Sequence, residues 1–151
     1  MITFAVEPWS VYAPDAEELW PRHWEELAKH RDKIPLDVDY DRYEMADASG
    51  ELFIAVGRDK GQVAAYWIGF IKGHLHYSGT LHAFNDIYYV APEHRKSGVG
   101  TELFVYVERE LKRRGVKKII NATKISHDHS ALFESQGFHA TERVFTKYIG
   151  D

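Results

Sequence analysis

The sequence predicts an α/β (α+β) protein: a mixed central sheet of about six to seven strands with helices on both faces, in the order βααβββαβαβ, with residues 1–151 forming one domain. Three observations predict it. Segments rich in aromatic and β-branched residues alternate with amphipathic ones, so hairpins and strand–helix–strand units share one sheet. With 151 residues the chain can bury one sizeable core but not two. Hydrophobic residues make up 44% and aromatics 14%, which excludes a disordered chain.

Ile2 to Val6 reads as the first strand, ended near Pro8. Pro14-Asp15 opens a helical segment, with Asp15, Glu17 and Glu18 suiting its N-terminal end. Trp20, Trp24 and Leu27 recur at helical spacing, and Pro21 between them divides or kinks the segment. The tryptophans read as packing residues. The 34–50 stretch is irregular and acidic, with Asp37, Asp39, Asp41, Glu44 and Asp47. It suits a solvated loop or short helix, or a wall that attracts a cationic substrate. Glu51–Arg58 and Gln62–Lys72 read as strands, with Asp59-Lys60-Gly61 as a three-residue hairpin loop. After a histidine-containing stretch, Gly73–Thr80, comes a strand from Leu81 to Val90, stopped by Ala91-Pro92.

A basic, glycine-containing turn follows, then a helix to about Arg114 with Val99, Leu103, Phe104, Val107 and Leu111 on one stripe and Gly115 as its cap. Unpaired N–H groups at such a helix start, with glycines that admit a ligand, make an anion site, and Arg95 and Lys96 add positive charge. Lys117–Lys124 reads as a strand, Ser126–Gln136 as a short helix opened by Ser126 or Asp128, and Phe138–Ile149 as a last strand whose edge a second copy could cover in a homodimer.

Net charge is −4, which argues against non-specific binding to nucleic acid or an anionic membrane. The absence of cysteine excludes disulfides, thiolate nucleophiles and Cys-based zinc sites, and fits a reducing compartment. No apolar run approaches the roughly 20 residues of a membrane span, and the N-terminus has no signal-peptide pattern, so the expected location is cytoplasmic.

Two motifs then give the chain a relationship. Arg95-Lys96-Ser97-Gly98-Val99-Gly100 has the R-x-x-G-x-G pattern of the GNAT N-acetyltransferase superfamily, preceded by a similar strand end and turn, Tyr89 to His94. Ala131 to Phe138, ALFESQGF, resembles that family's A-x-Y-E-x-x-G-F signature. The element order matches over nearly the whole chain, and the chain resembles the small single-domain members of bacteria and their phages.

The resemblance implies acetyl-CoA as co-substrate and no metal. Its pyrophosphate would lie on the N–H groups of Lys96, Ser97, Gly98, Val99, Gly100 and Thr101. Its pantetheine would lie between the splayed strands 81–90 and 117–124, against the Val90 backbone. Ser126 stands where the family often has an asparagine contacting pantetheine. The oxyanion donor would be the Val90 N–H. Phe133 departs from the family, whose tyrosine there protonates the leaving thiolate. Either the thiolate leaves unprotonated or takes a proton from water, or another residue such as Tyr88 substitutes, or the protein binds acetyl-CoA and catalyses poorly. The last reading makes it a non-catalytic acyl-CoA-binding module.

For a base, strand alternation places His82, Phe84, Asp86, Tyr88 and Val90 on one face, with Asp86 as first candidate. His76 and His82 are second candidates, because imidazole titrates near neutrality. The H-x-H of His74 and His76 also resembles a metal site, which the family does not require. The expected activity is transfer of acetyl to a primary amine, a small cationic amine or a peptide amino group, by direct attack in a ternary complex.

Overall fold

The structure, a computed structural model, describes residues 1–151. Five strands form one sheet in the order β1-β2-β3-β4-β5. They are β1 (Ile2–Val6), β2 (Leu52–Asp59), β3 (Gln62–His74), β4 (Tyr77–Val90) and β5 (Lys118–Ile120). The first four form an antiparallel meander, and β5 runs parallel to β4. The helices are α1 (Trp9–Ala16), α2 (Leu19–Leu27), α3 (Tyr40–Ala48), α4 (Val99–Arg113) and α5 (Ser130–Ser135).

The sheet is covered on both faces, so its strands are apolar on both. In β2, Leu52, Ile54 and Val56 pack on one face against Trp9, Tyr12, Ala16 and Trp20 of α1 and α2. Phe53 and Ala55 pack on the other against Leu103, Phe104, Val107 and Leu111 of α4 and Phe133 of α5. The α4 stripe is the one the sequence predicts, every member of it buried.

Several expectations are corrected. Residues 139–151 form no strand, and Val144, Phe145 and Ile149 are exposed, so the sheet has five strands rather than six or seven. An alternating pattern supplies side chains for a strand but no partner, and an unpaired segment forms no ladder. The Lys117–Lys124 strand shrinks to three residues for a reason given below. The first helix starts at Trp9, not Pro14. The break between helices falls at Glu17–Glu18. Pro21 sits in the first turn of α2, where its missing N–H leaves no bond unmade. The β2–β3 loop has two residues, with Asp59 opposite Gln62 and both Lys60 (φ 49°) and Gly61 (φ 84°) left-handed. That is the two-residue turn whose twist matches the strands. The acidic stretch is partly ordered as α3, with Asp39 accepting from the Arg42 N–H at its start. Asp128 caps toward Ser130, so α5 begins there and Ser126 stays in a tight turn outside it.

Candidate active site

The site is organised by an irregularity in β4. Ile68 pairs with Ile87, but Gly69 pairs with Asn85, so Asp86 is an extra residue without a partner on β3. The Asn85 side chain repairs the ladder, its Nδ2 donating to the carbonyls of Ile68 (3.2 Å) and Ile87 (3.1 Å). A bulge of one residue reverses the alternation beyond it. His82 and Phe84 therefore lie on the α1–α3 face, whereas Tyr88 and Val90 pack on the α4 face with Phe104 and Phe133. The single shared face expected for residues 82, 84, 86, 88 and 90 does not exist. Asp86 points to the α1–α3 side, where its Oδ2 accepts a hydrogen bond from the Tyr43 hydroxyl of α3.

Beyond the bulge β4 and β5 part. They pair only from His82–Lys118 to Phe84–Ile120, while Trp67 Nε1 donates to Asn121 Oδ1 (2.9 Å) and draws the chain away. The Ala91 N–H donates to the Ala64 carbonyl of β3 (2.9 Å). Ladder alternation therefore turns the N–H and C=O of Val90 away from β3, into the opening. That carbonyl accepts from Arg95 Nε (2.8 Å), which leaves the Val90 N–H as the group facing the opening.

At the foot of the opening lies the start of α4. Gly98 caps it at φ 86°, a left-handed backbone that glycine adopts without strain. The N–H groups from Lys96 to Thr101 donate to no backbone carbonyl. A Cβ on Gly100 would stand 2.8 Å from the Tyr88 hydroxyl, so that hydroxyl rests on the helix entrance. Arg95 does not face this cradle. Its Nη2 bonds both oxygens of Glu26 on α2 (2.8 and 3.1 Å), and its guanidinium covers the Tyr89 ring. The Ser97 hydroxyl donates to the His94 carbonyl (2.6 Å).

A cavity of about 540 Å³ runs from the strand opening toward α1, α2 and α3; Val90 and residues 95–101 do not line it. One end is bounded by Tyr88, Thr123, Lys124, His127 and His129 at the strand opening. The other is bounded by Trp9, Trp20, His23 and Trp24, with Tyr43, Asp37 and Asp39 beside them. Asp86 lies between the two ends.

The sequence-based candidates divide accordingly. Asp86 and Tyr88 line the cavity. Ser126 does not, its neighbours Lys124 and His127 doing so instead. His82 is buried with Nδ1 3.0 Å from the Thr80 carbonyl, stacked among His74, Tyr77 and Phe84. His76 is exposed in the β3–β4 turn, its N–H donating to His74 Nδ1 (3.1 Å). Neither lines the cavity, because β4 carries them to the far end of the sheet. Their cluster with His74 has no metal-binding arrangement. Phe133 is buried between Phe104 (5.3 Å) and Phe138 (5.8 Å).

Residues missed from sequence are Trp9, His23 and Tyr43. Trp20, His23, Trp24 and Leu27 do recur at i, i+3, i+4, i+7, but that spacing is equally a core stripe.

Electrostatics separates the groups. Burial raises the Tyr88 hydroxyl to about 12, against the opposing pull of Arg95. Burial, with the Asp86 carboxylate beside it, raises Tyr43 above the phenol range. Burial lowers His23 to about 4, with Glu26 opposing and Arg95 reinforcing. His129 is lowered by burial and then by Arg95.

A parted pair of strands beside a helix start with unpaired amides is an arrangement that suits an extended ligand with an anionic end. The chain belongs to the acetyltransferase (GNAT) family, whose sequence model matches residues 8–138. It is 39% identical over 74 residues to an aminoglycoside N(6')-acetyltransferase type 1 of Acinetobacter genomosp. 13, a stretch covering 45% of this chain and 49% of that protein. The match thus spans about half the length of that relative. A predicted acetyltransferase with acetyl-CoA from Clostridium acetobutylicum shares the fold at a TM-score of 0.71 and 15% identity, over 98% of this chain and 96% of the other. So does an aminoglycoside acetyltransferase from an uncultured soil metagenomic sample, in complex with sisomicin, at 0.73 and 10% identity, over 99% and 95%.

Proposed function

We propose that the chain transfers acetyl from acetyl-CoA to the primary amine of a cationic acceptor, with an amino sugar of the aminoglycoside type as the favoured class. One observation carries the reading. A single cavity runs from the strand opening at Tyr88, whose hydroxyl rests on the α4 entrance, to an aromatic wall flanked by Asp37, Asp39 and Asp86. Carboxylates with indole faces suit an ammonium group.

The residues fit acetyl-CoA. The amides of Lys96 to Thr101 would take its pyrophosphate, Gly98 and Gly100 admitting it, and the opening beside Val90 would take its pantetheine. When bound, it supplies an activated thioester whose acyl group passes to an unprotonated amine. Asp86 is the base: Tyr43 occupies its Oδ2 and leaves Oδ1 for the amine proton. Tyr43 keeps its own proton, being held above the phenol range, and so serves as a donor that orients the carboxylate. The Val90 N–H, turned into the opening, is the donor for developing negative charge on oxygen. Tyr88 holds a proton at its hydroxyl at neutral pH and supplies the donor that Phe133 lacks.

Calorimetry with acetyl-CoA, followed by a thiol-release assay with sisomicin, spermine and a free peptide N-terminus, tests the reading. Binding with release on at least one amine is expected. Tight binding with no release on any of them would favour the non-catalytic module, and no binding would end both.

A further inference from the structure

His23 is the titratable side chain of the acceptor wall that the chemistry above leaves idle. Its ring lies flat on Tyr89 (4.7 Å between centroids), and its Nδ1 stands 3.0 Å from the Tyr66 hydroxyl. Tyr66 and Tyr12 are fully buried, their rings edge to face at 5.4 Å. The Tyr12 hydroxyl accepts from Trp20 Nε1 (3.1 Å).

The direction of these bonds is forced. An indole N–H only donates. The buried hydroxyl hydrogen of Tyr66 needs an acceptor, since leaving it unpaired costs about 1–3 kcal/mol. Its one hydrogen-bonding partner is His23 Nδ1, so Tyr66 donates to that nitrogen. Were Nδ1 the protonated nitrogen, the Tyr66 hydrogen would have no acceptor. The ring hydrogen of His23 is therefore on Nε2, the nitrogen left for the cavity that His23 lines.

We propose that His23 is a specificity-determining residue, whose fixed Nε2–H donates a hydrogen bond to a hydroxyl or ring oxygen of the acceptor. This rests on the transferase reading and sharpens it: the cavity selects an amine that carries oxygen beside it, an amino sugar over a plain polyamine. Three features suit the role. The ring is locked by stacking and by Tyr66. It stays neutral, with Arg95 and Glu26 as the charged groups nearest it, so it does not repel a cation. It lines the acceptor end of the cavity beside Trp20 and Trp24.

The test compares sisomicin, an oxygen-rich polyamine, with spermine, a polyamine without oxygen. His23→Phe should raise KM for sisomicin about tenfold or more, in line with the loss of a hydrogen bond to a site built for it. It should leave KM for acetyl-CoA and for spermine within about twofold. His23→Gln, which keeps an N–H, should recover part of the loss. Equal changes with both acceptors, or none, would overturn the proposal. Ring ¹⁵N NMR gives a reading independent of turnover: His23 should show the Nε2–H tautomer, and sisomicin should shift that nitrogen. An Nδ1–H tautomer, or no shift with saturating sisomicin, would also overturn it. If none of the three amines is acetylated, the transferase reading falls, while the NMR titration still decides the role of His23.

Discussion

The two ends of the cavity are made of different material. The proposed cofactor end opens onto backbone beyond the cavity wall: amides at the start of α4, the Val90 N–H, and a left-handed Gly98. The acceptor end is side chain: Trp9, Trp20, His23, Trp24 and Tyr43, with carboxylates between them. A backbone site needs particular residues only where the chain must bend or be approached closely, so it leaves a short local motif. A side-chain site is assembled from α1, α2, α3 and β4, and leaves no local pattern. The first kind suits a ligand that never changes, and the second can be refitted to a new acceptor without disturbing it.

Asp86, which stands between the ends, provides the largest expected effect. Asp86→Asn should lower kcat/KM by about 10²–10⁴, the usual worth of a positioned base, with acetyl-CoA affinity unchanged by calorimetry. Unchanged kinetics would remove Asp86 from the mechanism and leave the acceptor end without a base.

The acceptor end should also be the acid-sensitive one. His23 titrates at about 4 in the folded chain and near the ordinary 6.5 when unfolded. Above pH 6.5 it is neutral in both states, and its contribution to stability is complete. As pH falls from 6.5 toward 4, only the unfolded chain takes up the proton, so stability declines, by about 3 kcal/mol at the lower limit. Urea midpoints at pH 7 and pH 5 measure this. The difference should shrink in His23→Gln, and an equal difference in both proteins would assign the acid loss to other groups.

At the cofactor end, Gly98→Val should cost about 1–3 kcal/mol in backbone strain and weaken acetyl-CoA binding about tenfold. The strain comes from φ rather than crowding, since nothing lies within 4 Å of the added Cβ. If binding is untouched, the α4 entrance is only a structural turn.

The same contrast explains what could be read from sequence. The α4 stripe, the glycine turn, the mixed sheet and both motifs depend on local pattern, and the structure bears them out. The face of Asp86 depends on a register shift opposite Gly69, which no residue of β4 announces. His76 and His82 pair convincingly with the cleft only if β4 is short. Its pairing with β3 runs past the bulge and, after a second shift between Gly73 and His74, reaches Tyr77, which carries them to the far end. The tail at 139–151 carries a strand pattern without a strand to pair with, since pairing is non-local. His23 was invisible because its tautomer is set by Tyr66, which is distant in sequence.

Arg95 gives the smallest effect and tests the boundary between the two ends. By motif it belongs to the cofactor turn. By geometry it braces that turn to the acceptor wall, through Glu26 on α2 and the Tyr89 ring on which His23 also lies. A half-exposed pair of this kind is worth at most about 1 kcal/mol. Arg95→Gln should therefore change acetyl-CoA affinity by less than about threefold, with no loss of salt dependence, and shift the acceptor KM more than the acetyl-CoA KM. An arginine that bound the pyrophosphate would do the reverse, because removing a bidentate, charge-assisted contact costs about tenfold or more and flattens the response to salt. Calorimetry at low and high ionic strength separates the two outcomes. The first would mean that the arginine of the motif couples the ends of the cavity, so that closure of the turn on one ligand is felt at the wall that holds the other.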